Sequence, residues 1–271
     1  RRVTDAAMIT CESECLGCER WDLARKIDCP WDLSAVMNDL ENFVHGVARY
    51  FSANLGAALV EAYKLGSLAH GGFSDIYSDI DVGLILNCRE APPGMSEMIA
   101  GAKALHPEYG KKLSMFWGNP EFTWGRLPVI DRIDLLDHGV ALLRGIRPGL
   151  RRPSKDEIHQ EQLRSIERSW KPRLPELSRL TTLEPKDRKP YIRAILYAAR
   201  LIFTWDSLVV GSNDSAVEYL HRIVPQGLDL IPIDRALACR NGKCSAEQVL
   251  LLGSDLNRQC ESALRYISGR P

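Results

Sequence analysis

The chain has 271 residues, enough for two domains of ordinary size, and its 45% apolar content can fill real cores. Lysine plus arginine and aspartate plus glutamate stand at 35 each, so no global basic field advertises a nucleic-acid or membrane partner. No stretch approaches the roughly 20 consecutive apolar residues that cross a bilayer, and the first residues lack the apolar core of a secretory signal, so a cytoplasmic location is expected.

Residues 1–30 read as a cysteine-rich extension. Cys11, Cys15, Cys18 and Cys29 open with a C-x3-C-x2-C spacing. That spacing leaves two readings, a zinc site or free thiols in a reducing compartment. After Trp31-Asp32-Leu33-Ser34, the residues Val36, Leu40, Phe43, Val44, Val47 and Phe51 recur at helical spacing. A short apolar strand over 58–65 follows and ends at Gly66-Ser67. A second strand is predicted over 79–86, a helix over 95–105 after the breaker Ala91-Pro92-Pro93-Gly94, and a third strand over 112–117. Asp131, Asp134 and Asp137 lie in a stretch that reads equally as strand or helix.

Past Pro148 and Pro153 only helical patterns remain, so the expected division is a first domain over 31–150 and a helical one over 151–271. Ser154 with Glu157 and Ser245 with Gln248 match capping boxes. Ile192, Ile195, Leu196, Ala199, Ile202 and Phe203 form one helical stripe, and Val249, Leu252, Leu256, Cys260, Leu264 and Ile267 another. Residues 151–200 hold 13 Lys+Arg against 7 Asp+Glu, a local excess on a neutral chain.

The chemistry concentrates in residues 66–86. Asp79 and Asp81 are two apart, so on a strand their carboxylates share a face and can share a divalent ion, while Ile80, Val82, Leu84 and Leu86 anchor the other face. Two hard oxygen donors suit Mg²⁺, which keeps positions for water and substrate phosphates. Gly66 lets a phosphate approach the backbone and Ser67 offers a hydroxyl and an amide. Gly71 and Gly72 permit the reversal between the strands.

These pieces, Gly66-Ser67, the glycine pair and Ser78-Asp79-Ile80-Asp81 before an apolar strand, resemble the nucleotidyltransferase superfamily that includes DNA polymerase β and the aminoglycoside adenylyltransferases. The two-part plan is similar to the enzymes that adenylylate streptomycin and spectinomycin. The resemblance implies an α/β (α+β) architecture, a polymerase-β-like nucleotidyltransferase domain with a small mixed sheet followed by a C-terminal helical bundle. It implies ATP as substrate, Mg²⁺ on Asp79 and Asp81, and Gly66, Ser67, Ser78 and Arg200 at the nucleotide. A lysine that opens the next helix in that family is Asn213 here.

The family's third carboxylate comes from a later strand, but 112–117 has no acid; Asp134 takes that role if its stretch is a strand, and is a cap or salt-bridge residue if it is a helix. The acceptor implied is a small hydroxyl-bearing molecule, an aminoglycoside among them, for which Asp206, Trp205, Glu218, Asp214 and Trp117 could line a cleft. Two other readings stand beside this one: a catalytically weak nucleotide-binding or antitoxin-like module, and transfer to a protein or to a tRNA end, the tRNA being disfavoured by the neutral charge balance.

Overall fold

The structure is a computed structural model describing residues 33–251 and 255–269. Cys11, Cys15, Cys18 and Cys29 therefore lie outside the described residues, as does Leu252 of the last stripe. The first half runs α1 (Leu33–Leu55), β1 (Leu59–Leu65), a one-turn α2 (Ser67–His70), β2 (Ile80–Leu86), α3 (Met95–Ala104), α4 (Pro107–Lys112), β3 (Leu113–Gly118), β4 (Gly125–Arg126), α5 (Val129–His138) and β5 (Val140–Ala141). The sheet order is β4-β3-β2-β1-β5, with β2 and β3 parallel and the other neighbours antiparallel. This is the small mixed sheet the resemblance implied.

Alternation along β2 decides which side of the sheet does what. Ile80, Val82, Leu84 and Leu86 are all fully buried and pack with Leu40, Phe43, Val44, Val47 and Phe51 of α1. The opposite face carries Asp81, Gly83 and Ile85, and Ile85 packs with Tyr63, Leu65 and Leu135 under α5. A side chain at Gly83 would sit 2.9 Å from Leu65 Cδ1 and 3.6 Å from Leu135 Cδ1, so α5 lies close against the strand. Residues 132–136 are helix, not strand. Pro128 precedes the first turn, and Ile133, Asp134 and Leu135 are the buried positions of α5.

The second half is helical: α6 (Lys155–Ser165) runs into a wide turn of π geometry (Ile166–Trp170) and one of 3-10 geometry (Lys171–Arg173), followed by α7 (Leu174–Leu177), α8 (Pro185–Ser207), α9 (Asn213–Ile223), α10 (Leu230–Arg240), α11 (Ala246–Leu250) and α12 (Leu256–Ser268). Both predicted capping boxes form. The buried stripes of α8 and α12 share one core, in which Ile192, Ile195, Ile202, Cys260 and Ile267 are at most 3% exposed. No helix among the described residues is long and apolar enough to cross a membrane.

One buried acid is a structural brace. Glu61 on β1 is fully buried, and its carboxylate accepts from the amides of Ala62 and Leu143 at 3.0 Å, Arg144 at 2.8 Å and Ile146 at 3.1 Å. Arg144 in turn donates to the carbonyls of Leu59 and Val60. The chain leaving β5 is thereby tied to the outer side of β1. Each amide left buried without a partner costs roughly 1–3 kcal/mol. Glu61→Ala is therefore expected to lower the unfolding free energy by about 1–3 kcal/mol in a urea titration, with Glu61→Gln losing less because one acceptor oxygen remains.

Candidate active site

The end of β1 is shaped by a glycine. Gly66 has φ +63° and ψ −150°, and a Cβ there would lie 2.4 Å from Asp81 Oδ2. Only a residue without a side chain admits that approach. The Gly66 amide donates to Asp134 Oδ2 at 2.6 Å, which locks the turn to α5. Ser67 begins α2, and its hydroxyl donates to Ser78 Oγ at 2.9 Å. Ser78 Oγ also accepts from the Ser74 amide at 2.9 Å and from the Arg240 guanidinium of α10 at 2.8 Å. The two halves of the motif, eleven residues apart, are thus joined through one hydroxyl and pinned to the helical half.

Asp79 lies just ahead of β2 and Asp81 within it, facing α5 and α8. Asp79 accepts from Lys189 Nζ at 2.6 Å and from Arg193 at 2.9 Å, both on α8. Burial, and then the neighbouring Asp79 charge, push Asp81 up to about 6. Asp131, one turn before Asp134 on α5, is pushed up to about 7 by burial and then by the charges of Asp81 and Asp134. Burial also raises Asp134, against the opposing pull of the Gly66 amide and His70. His70 Nε2 is 4.0 Å from Asp134 Oδ1, and burial lowers the His70 pKa. In register with Asp81 across β3 stands Ser114, so that strand supplies no acid at this point.

Gly66, Ser67, Ser78, Asp79, Asp81, Asp134 and Arg200 all line one cavity of about 380 Å³ between the sheet and α8–α10, and Asn213 joins them. The donor set fits a hard divalent cation of the Mg²⁺ kind. Asp79 and Asp81 are oxygen donors whose mutual repulsion such an ion relieves, and Mg²⁺ commonly rests on one or two carboxylates plus substrate phosphates. Among the described residues no group of three or more His, Cys, Asp or Glu is assembled as a metal cage. A two-carboxylate site completed by substrate is the arrangement these residues can make.

Four residues were not singled out from the sequence: Arg193, Arg240 and, as a cavity acid, Asp131, which line the cavity, and Lys189, which reaches its Asp79. A signal existed for two of them. Arg193 and Arg200 are seven apart, two turns of α8, and Lys189 is four before Arg193, so the three share a face within the basic 151–200 segment. Arg240 had none, because its partner lies 162 positions away. Of the acceptor-cleft candidates, none lines this cavity or the two beside it. Asp206 accepts from the hydroxyls of Tyr219 and Tyr266, Trp205 stacks on His159 with ring centroids 3.7 Å apart, Asp214 accepts from Asn241, Trp117 packs on the sheet core, and Glu218 is exposed.

No family model and no curated protein sequence matches the chain. Among solved structures, it is similar to spectinomycin adenyltransferase AAD(9) from Enterococcus faecialis, crystallised with ATP and spectinomycin, at a TM-score of 0.57 and 15% identity over 83% of this chain and 99% of that one. The chain has a nucleotidyltransferase fold. At that identity the likeness is one of fold, and the roles of residues in this chain rest on its own geometry.

Two outcomes follow. Gly66→Ala forces a Cβ into Asp81 at a positive φ, so it is expected to cost on the order of 1–3 kcal/mol by thermal denaturation, while Gly149→Ala, with open space around it and no positive φ, costs little. For Asp131, a folded pKa near 7 against roughly 3.9 unfolded means that the folded state binds the extra proton between these values, so stability falls as pH rises through that window. Asp131→Asn should therefore gain on the order of 1–3 kcal/mol over the parent at pH 8 and nothing at pH 4, read from melting curves at the two pH values.

Proposed function

We propose that the protein is a Mg²⁺-dependent nucleotidyltransferase that moves AMP from ATP to a hydroxyl of a small molecule. The carrying observation is the convergence of Gly66, Ser67, Asp79 and Asp81 with the α8 cations in one cavity. In this reading catalysis takes place between a nucleotidyltransferase domain over 31–150 and a helical domain over 151–271, and a nucleotide substrate suits a cytoplasmic location. AAD(9), crystallised with ATP and spectinomycin, supports ATP and a small acceptor as the substrate classes.

Magnesium held by Asp79 and Asp81 would neutralise charge on the phosphates and on the attacking and leaving oxygens. The chain's own residues do the rest. Ser67 and the amides beside it orient the phosphates, and Gly66 keeps the approach open. Lys189 and Arg193, which pair with Asp79 here, are within reach of a triphosphate laid over that carboxylate and exchange one anion for the other. Arg200 faces the same cavity; burial lowers its pKa to about 10, so it stays charged near neutrality.

Asp134 positions the Gly66 turn through its 2.6 Å contact. Asp131, lining both this cavity and the next, receives the proton of the acceptor hydroxyl. A bond forms from that oxygen to the α-phosphorus, the bond to the bridging oxygen breaks, and pyrophosphate leaves.

A second reading, a nucleotide-binding module with little transfer activity, draws on Ser114 opposite Asp81, on Asn213 in the cavity, and on the two cations that occupy Asp79. Calorimetry with ATP, with and without Mg²⁺, combined with pyrophosphate release over a panel of hydroxyl acceptors, separates the two. Binding without release under any acceptor favours the module. For the enzyme, Asp81→Asn is expected to lose Mg²⁺-dependent ATP binding and to cut release by more than the roughly 10–100-fold typical of residues that only support metal ligands. Asp131→Asn should lower kcat on the order of 10²–10⁴-fold at unchanged ATP affinity, and should abolish the acidic limb of the pH profile.

A further inference from the structure

Beyond Asp131 and Ile130 the cavity adjoins a second, of about 430 Å³, bounded by α6, the wide turn after it and α8; a third, of about 360 Å³, continues toward Trp170. Arg193 and Arg200 line all three. The groups suited to a triphosphate and its metal, Gly66, Ser67, Asp79 and Asp81, line the first cavity and neither of the others. Arg164 and Arg168 line only the second and Arg173 only the third of these cavities. The two sets of charges therefore serve different volumes.

The second and third cavities hold five guanidinium groups against two carboxylates, Asp131 and Glu161. Glu161 is already paired with Arg164, through contacts of 3.1 Å and 2.8 Å to one oxygen. Asp131 sits on the wall shared with Asp81. Arg168 and Arg173 have no ion pair among the described residues, and the buried Nε of Arg200 has no hydrogen-bond partner. The floor is aromatic, with Tyr197 tilted against Trp170 at 4.6 Å and the Arg200 guanidinium 5.8 Å from the Tyr197 ring. Planar guanidinium forks match phosphate and carboxylate oxygens in pairs. A polycation of the aminoglycoside kind would meet like charge there.

We infer that the acceptor is itself a small anion, a polyol carrying a phosphate or carboxylate group, whose anionic group is drawn to the arginines of the second and third cavities, Arg168 and Arg173 among them, while its free hydroxyl reaches Asp131. This rests on the transferase reading and names its second substrate. The acceptor candidates read from the sequence were acids and aromatics, and their absence from these cavities agrees with it.

The test uses the full chain. Its nucleotide site is first filled with α,β-methylene-ATP and Mg²⁺, and glycerol 3-phosphate, glycerate, glycerol and spectinomycin are then titrated by thermal shift; pyrophosphate release from ATP is measured with the same four. Expected are a further rise in melting temperature and pyrophosphate release with glycerol 3-phosphate or glycerate, the arm that responds naming the anionic group, and neither effect with glycerol or spectinomycin. In the double variant Arg168→Ala/Arg173→Ala the KM for the responding anion rises at least about tenfold, with the affinity for α,β-methylene-ATP unchanged.

Release with spectinomycin, or with glycerol as readily as with its phosphate, overturns the inference. So does a double variant that loses nucleotide affinity instead, since those arginines would then serve the triphosphate. If α,β-methylene-ATP with Mg²⁺ does not bind, the transferase reading falls separately, and the anion titration of the nucleotide-free protein still decides: binding of glycerol 3-phosphate that the double variant loses upholds the anion site, and its absence refutes it.

Discussion

Crowding of carboxylates on one wall of the cavity is the constraint around which the rest is arranged. Asp79, Asp81, Asp131 and Asp134 come from a strand with the loop ahead of it and from a helix packed over that strand; burial raises Asp81, Asp131 and Asp134, and repulsion within the group adds to the first two. Such a wall forms only if the remaining structure supplies positive charge or amides. Lys189 and Arg193 meet Asp79 and the Gly66 amide meets Asp134. The same unfavourable charge that weakens the fold at neutral pH is charge that a bound cation would relieve.

The supply of that charge makes the two halves depend on one another. Tyr77, from the loop between the motif segments, is buried in the helical core, with its hydroxyl 3.1 Å from Cys239 Sγ. Arg240 donates to Ser78 and to the Gly72 carbonyl, and His138 of α5 contacts the Val210 carbonyl ahead of α9. The loop between β1 and β2 is thus held from the helical side as well as from the sheet.

A gradient of charge then runs through the cavities, from acids at the sheet to arginines along α6 and α8. Arg193 and Arg200 stand where the gradient turns over. The wide turn over Ile166–Trp170 presents Arg168 and Ser169 toward the arginine-lined space, a placement for which regular α-helical spacing offers no guide.

The sequence by itself determined what depends on near neighbours. The β2 alternation put Asp81 opposite the apolar residues that bury against α1, the two capping boxes marked helix starts correctly, and Gly66, Ser67, Asp79 and Asp81, singled out together in the sequence, line one cavity. Residues 129–138 were legible only as two alternatives, since short apolar periodicity there suits strand and helix alike, and packing of Ile133 and Leu135 chose the helix. Only the tertiary structure decided that Asp134 would clasp Gly66 while Asp131 turned to the cavity, that Arg240 would reach Ser78, and that Asp206 and Trp205 would be spent inside the bundle on Tyr219, Tyr266 and His159. Those pairings join residues from 13 to 162 positions apart, and a contact at such separations is set by how whole elements pack, which local pattern does not encode.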